Sequence, residues 1–130
     1  MKSTQSLAYF ISNAALDKKA KDVRILNVSN LSPITDYFVI CSGSSTIQVK
    51  AIADEIEDRM AEKGIKVRHK EGYHTARWIL LDYGDVIVHV FHNEDREFYD
   101  IERLWADAIA VNVWLYKGKI MFYNILQNCI

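Results

Sequence analysis

Three sets of residues in this chain have types and spacings that suit chemistry. Gly43-Ser44 follows an apolar run and precedes a helical pattern. Glycine and serine ahead of a helix N-terminus can hold phosphate through backbone N–H groups and the helix dipole. Nucleotidyl transfer at such a turn also needs clustered carboxylates to hold a divalent metal. No D-x-D follows the turn on a strand. Asp82 and Asp85 are candidates, but they flank a hairpin tip, where acids are ordinary turn residues. Asp36, just before a strand, more simply bonds nearby backbone. The second set is the histidines, His69, His74, His89 and His92. His89 and His92 would point to opposite faces of a strand, unlike a helical i, i+4 ligand pair, and no cysteine pair accompanies them. The third set is Cys41, which lies in an apolar strand with no evident base and reads as an inert core thiol. No catalytic residue, metal or cofactor is assigned on this basis. An enzyme using the Gly43-Ser44 turn to bind a nucleotide remains the alternative reading.

The segment from Glu71 to Trp105 is more informative. Arg77–Leu81 and Val86–Phe91 are strand-forming runs around Asp82, Tyr83, Gly84 and Asp85, the signature of a hairpin. With Tyr83 and Gly84 as a two-residue loop, Asp82 pairs with Asp85, Leu80 with Ile87 and Trp78 with His89. One face then carries Ile79, Leu81, Val86, Val88 and Val90, an aliphatic set suited to a core under helices. The other carries Trp78, Leu80, Ile87, His89 and Phe91, rimmed by Asp82 and Asp85. An exposed patch of this kind marks an interaction site, and a tryptophan among apolar neighbours makes a good anchor. A further helix covering that face, giving a three-layer sandwich, is the other reading. A register slip of one residue would scramble both faces.

The elements that must position this hairpin follow from periodicity. Residues from about Ser3 to Lys19 form a first helix, with Leu7, Ile11, Ala14 and Ala15 on one side. Val23–Val28 and Tyr37–Cys41 are strands separated by a loop with Pro33, the only proline. Ser45 with Gln48 has the form of a capping box opening a second helix striped by Val49, Ile52, Ala53, Ile56 and Met60, and Gly64 stops it. Ile65–His69 is a third strand. Asn93 caps a last helix lined by Phe98, Ile101, Leu104, Trp105 and Ala108; Arg96 on it pairs with Glu71 or Asp100, or meets a partner. The order αββαβββα gives one mixed sheet of about five strands with three helices, an α/β (α+β mixed) fold in residues 1–108. Residues 109–130 are an apolar extension around Lys117-Gly118-Lys119, either an added hairpin or a mobile tail.

Composition narrows the class. The chain has 130 residues, 50% hydrophobic and 25% charged, with a net charge of −1. That suits one globular domain and offers no basic bias toward DNA or RNA. No apolar run is long enough to span a bilayer. The N-terminus has no continuous apolar core and no Arg- and Ser-rich leader, so a cytoplasmic location is expected. Cys41 and Cys129, far apart in sequence, fit a reducing compartment.

Several stretches are specific in combination: TDYFVI followed by SGSS, the spacing from Glu71-Gly72 to Trp78, DYGDVIVHVF, and R-x-F-Y before L-W. Together they span nearly all of residues 5–108 and resemble the ribosomal silencing factors, or Iojap-like proteins. The resemblance implies a nucleotidyltransferase-like fold without working catalytic residues, and a regulator rather than an enzyme. It implies binding to the large ribosomal subunit through its protein number fourteen, where the small subunit docks. Joining of the subunits would be blocked and translation repressed when nutrients are scarce. A homodimer off the ribosome is also implied. On this reading Glu71, Trp78, Leu80, Asp82, Tyr83, Asp85, Ile87, His89 and Phe91 form the partner-binding surface. The acids would complement a basic ribosomal protein.

Overall fold

The αββαβββα order expected from the pattern is the order found. The computed structural model describes residues 4–99, 109–110, 113–116 and 119–122, with side chains described for 4–96. The elements are α1 (Thr4–Asp17), β1 (Lys21–Asn27), β2 (Tyr37–Gly43), α2 (Thr46–Glu62), β3 (His69–Glu71), β4 (Trp78–Asp82), β5 (Val86–His92) and α3 (Asn93–Tyr99). Then come β6 (Ile109–Ala110), β7 (Val113–Tyr116) and β8 (Lys119–Phe122). The main sheet is mixed, in the order β3-β4-β5-β2-β1-β6. Among the described strands, β2 and β5 run parallel, and β1–β2, β3–β4 and β4–β5 are antiparallel. After Ala108 the chain forms a separate antiparallel hairpin of β7 and β8, with Tyr116 opposite Lys119. The expected helical residues Ile101, Leu104, Trp105 and Ala108 lie outside the described residues, as does the Phe98 side chain.

Both long helices pack on one face of the sheet. Alanines at 8, 14 and 15 let α1 lie close to it, beside Ile11, and α2 adds Val49, Ile52, Ala53, Ile56 and Met60. Against them the sheet buries Ile25, Val39, Cys41, Ile79, Leu81, Val86, Val88 and Val90, nearly all completely. Each such side chain contributes roughly 1.5–3 kcal/mol of transfer free energy. Burial also raises the Cys41 thiol pKa to about 12, which keeps it protonated and inert.

The hairpin forms, but two residues away from the expected register. Trp78 pairs with Phe91, Leu80 with His89 and Asp82 with Ile87. Gly84 and Asp85 form the tip: the Tyr83 N–H donates to the Val86 carbonyl at 3.0 Å and Gly84 has φ +87°. The Asp82 carboxylate accepts the Gly84 N–H at 2.7 Å, which fixes the tip one residue later than a Tyr83-Gly84 loop would. A slip of two preserves the side-chain alternation, so both faces keep their expected members.

The third strand is displaced. It is His69–Glu71, not Ile65–His69. Arg68 already donates its N–H to the carbonyl of Asp82, the last residue of β4, so earlier residues have no ladder to join. Ile65 and Val67 pack against the core instead.

Candidate functional site

The second face of the hairpin is best read row by row, because paired residues share a face. Glu71, Leu80, His89 and Ile40 form one row; His69, Asp82, Ile87, Phe38 and Leu26 form the next; Trp78 and Phe91 form the third. Leu26, Val28, Phe38, Ile40 and Phe91 make a second buried cluster, with Trp78 and Ile87 packed against it. The face is thus divided. Its centre is buried, with Ile40 and Phe91 at 0% exposure. Its margin around β4 is open: Trp78, Leu80 and Asp82 of β4 and Ile87 of β5 are partly exposed, and Glu71 of β3 is exposed. Sequence pattern missed Phe38 and Ile40, because β2 is apolar on both faces and its parallel pairing to β5 leaves no local signal.

The expected surface residues fall into two groups. Trp78, Leu80, Asp82, Asp85, Ile87 and Glu71 are at or near the surface. Tyr83, His89 and Phe91 are not, with exposures of 6%, 5% and 0%. Tyr83 follows the alternation of Ile79 and Leu81 and enters the core under the helices. Burial, then the nearby Glu57 carboxylate, raises its phenol pKa. Phe91 stacks under Trp78 with centroids 5.0 Å apart and planes 24° apart. These residues support the open margin instead of presenting themselves on it. Asp85 is exposed at the tip, and its carbonyl anchors the neighbouring loop by accepting N–H bonds from Asp36 and Tyr37. Glu71 meets His69, Oε1 to Nε2, at 2.7 Å on the edge strand.

Burial holds His89 neutral, with a pKa lowered from 6.5 to about 4. The sign of the linkage follows: the unfolded chain takes up a proton that the folded chain refuses. Stability from this group is complete above pH 6.5 and falls as pH drops toward about 4. The loss amounts to about 3 kcal/mol at most. Urea unfolding of the wild type and His89→Phe should therefore show a stability difference that changes across this window and is flat above it. A difference independent of pH would mean that His89 titrates alike in the folded and unfolded chain, as an exposed imidazole does.

α3 is tied to the hairpin by charge. The Arg77 guanidinium grips Asp95 with two bonds, of 2.7 and 3.0 Å, and reaches Glu94 at 3.2 Å. That hydrogen bonding holds the Asp95 carboxyl below the usual carboxylate range. The helix opens on His92, whose Nδ1 accepts the Glu94 N–H at 3.2 Å, rather than on Asn93, which is already helical. The Arg96 guanidinium donates to the Asp22 carbonyl and the Ser42 hydroxyl, joining α3 to β1 and β2.

The phosphate-like turn is arranged differently from a ligand site. Ser45 caps α2 as expected, its hydroxyl accepting the Gln48 N–H at 3.1 Å. The Gln48 carboxamide oxygen, however, accepts from the Ser44 N–H at 2.6 Å and the Ser44 hydroxyl at 2.9 Å. Its nitrogen donates to the carbonyls of Lys18 and Lys19. A side chain therefore takes a donor that a phosphate would use and ties α1 to α2. The acids are also in the wrong place: Gly43 pairs with His92 at one end of β2, while Asp36 and Asp85 lie at the other. A strand of 7 residues separates them, about 20 Å at the rise of extended chain. Among the described residues no three His, Cys, Asp or Glu side chains gather in a way that suits a metal.

Comparisons with known proteins agree with one another. The family model described as "Ribosomal silencing factor during starvation" matches residues 1–120, running past Ala108 into the C-terminal segment. The Ribosomal silencing factor RsfS of Halalkalibacterium halodurans is 48% identical over 111 residues, covering 85% of this chain and 95% of that one. The Bacillus subtilis protein of the same name is 47% identical over 104 residues, covering 80% and 88%. A crystal structure of a Chromobacterium violaceum protein superposes with a TM-score of 0.79 at 34% identity, covering 81% of this chain and 88% of that one. The two RsfS relatives carry the name of a regulatory family, not of an enzyme.

Proposed function

The chain belongs to the ribosomal silencing factor family, and from that premise we propose that it docks on the large ribosomal subunit and blocks joining of the small one. The docking partner is the subunit's protein number fourteen, and the action represses translation in the cytoplasm when nutrients are limiting. The observation that carries this reading is the open margin of the hairpin. Trp78, Leu80 and Ile87 form an apolar strip on rigid strands, with Asp82, Asp85 and Glu71 around it. An apolar centre with a charged rim is how a compact body anchors to a partner, and acids on the rim suit a basic ribosomal protein. No chemistry is needed: the body works by occupying the joining surface. Among the described residues no helix is long and apolar enough to cross a membrane. A homodimer formed through the same strip would compete with docking.

Co-sedimentation with purified large subunits tests the proposal, with a subunit-joining assay alongside. The wild-type chain should pellet with large subunits and lower the yield of joined ribosomes. A wild-type chain that stays in the supernatant at micromolar concentration overturns the reading. Charge at the rim gives a second expected result. Asp85 is exposed and its side chain makes no bond to another described residue, so Asp85→Lys should leave the fold intact. Rim charges act mainly on association, so Asp85→Lys should slow the on-rate roughly tenfold at low salt, with the gap closing as salt is raised. An unchanged on-rate at low salt would remove Asp85 from the interface.

A further inference from the structure

The Trp78 indole N–H points inward, not outward. It donates to Nδ1 of His89 across the hairpin at 3.1 Å. His89 is 5% exposed. Its ring meets Phe38 edge-on at 4.8 Å and lies parallel to Phe91 at 6.3 Å. Because Nδ1 accepts, the proton of the neutral ring sits on Nε2. That Nε2 is buried and finds no hydrogen-bond partner among the described residues. A buried donor without an acceptor is costly, and phenylalanine or leucine would fill the same apolar niche without that cost. What a histidine adds at this place, among the described residues, is its bond to the indole.

We propose that His89 is a positioning residue of the docking strip: it takes the Trp78 N–H, fixes the plane of the indole, and leaves only apolar ring for the partner. Free tryptophan is amphipathic, and an exposed indole N–H invites water or a partner's acceptor. With its donor engaged inside the face and its ring stacked on Phe91, Trp78 offers a dry plane held in one orientation. A side chain held in its bound conformation loses less entropy on docking. The matching feature on the partner is therefore an apolar or aliphatic surface, not a carbonyl or carboxylate awaiting an indole donor. The inference rests on the docking reading for its effect on binding, but the lock between the two side chains can be tested without a partner.

Two variants separate positioning from bulk structure. His89→Phe keeps an aromatic ring and removes the acceptor. His89→Asn places a carboxamide oxygen where Nδ1 was. The full chain, ¹⁵N-labelled, gives an indole N–H resonance for Trp78, assigned by its loss in Trp78→Phe. In His89→Phe that resonance should shift and exchange with water at least tenfold faster, while backbone resonances of the helices stay in place. Affinity for large subunits should fall roughly tenfold, and His89→Asn should restore both readouts to within about threefold of wild type. An unshifted indole resonance in folded His89→Phe overturns the lock. A shifted resonance with wild-type affinity overturns the positioning role, as does an Asn variant no better than Phe. If the wild-type chain fails to bind subunits at all, the docking reading falls while the indole resonance still decides whether the lock exists.

Discussion

Trp78→Ala should abolish detectable co-sedimentation with large subunits while the chain stays folded. Trp78 is the largest side chain on the open margin, and it is held from two sides, by the stack on Phe91 and the bond to His89. Anchors of this kind cost roughly 2–4 kcal/mol when cut to alanine, or about 30- to 1000-fold in affinity. Leu80→Ala, one row away and flanked by exposed Glu71, should cost less, about tenfold. The fold should survive because Trp78 is only partly buried and packs against the second cluster, while the helices close the main one. Loss of the stack and of one hydrogen bond should lower stability by about 1–2 kcal/mol, visible in urea but not in the circular dichroism of the native state. Binding of folded Trp78→Ala within threefold of wild type would move the docking surface elsewhere on the molecule.

The features legible in sequence were those with a local physical signature. Alternation through Ile79, Leu81, Val86, Val88 and Val90 identified the core face, and it did so despite a register error. The two-residue shift to the Trp78–Phe91 pairing is an even number, and side chains change face only on odd slips. The capping serine at residue 45 and the stop at Gly64 were visible for the same reason: cap chemistry acts over a few residues. The unreadable features depend on distant partners. Nothing near Gln48 in sequence shows that its amide reaches the carbonyls of Lys18 and Lys19, some thirty positions away. Nothing near His89 shows that β2 lies beside β5 and flanks it with Phe38 and Ile40 on the same face. His89 and Phe91 therefore read as surface residues when they are the floor beneath the surface. Tyr83 looks like a turn residue on show only if the tip is Tyr83-Gly84, one position early. With Gly84 and Asp85 at the tip, Tyr83 is the last inward step of its strand.

The largest effect on the fold should come from a residue that makes no side-chain contact. Gly72 joins β3 to the turn leading into β4 and has φ +76°. A Cβ built there would lie 2.1 Å from the carbonyl oxygen of Trp78 and 3.2 Å from its carbonyl carbon. Both are backbone atoms of a paired strand, so no rotamer change relieves the clash. The turn is also closed by the Ala76 N–H on the Gly72 carbonyl at 3.0 Å, and the His92 N–H holds the Arg77 carbonyl at 2.8 Å. Displacing Gly72 therefore displaces the start of β4. Gly64 supplies the control: its φ is +77°, nearly the same, but a Cβ there meets nothing within 4 Å. Gly64→Ala should carry only the left-handed backbone penalty, roughly 1–2 kcal/mol. Gly72→Ala adds the collision and should lose about 3 kcal/mol or more, lowering Tm by about 10 °C or more in calorimetry. Because the displaced atoms belong to Trp78, any folded fraction of Gly72→Ala should also bind large subunits poorly, while Gly64→Ala binds normally. Equal losses of Tm in the two variants would mean that backbone conformation alone fixes these glycines and that the approach of Gly72 to β4 is not tight.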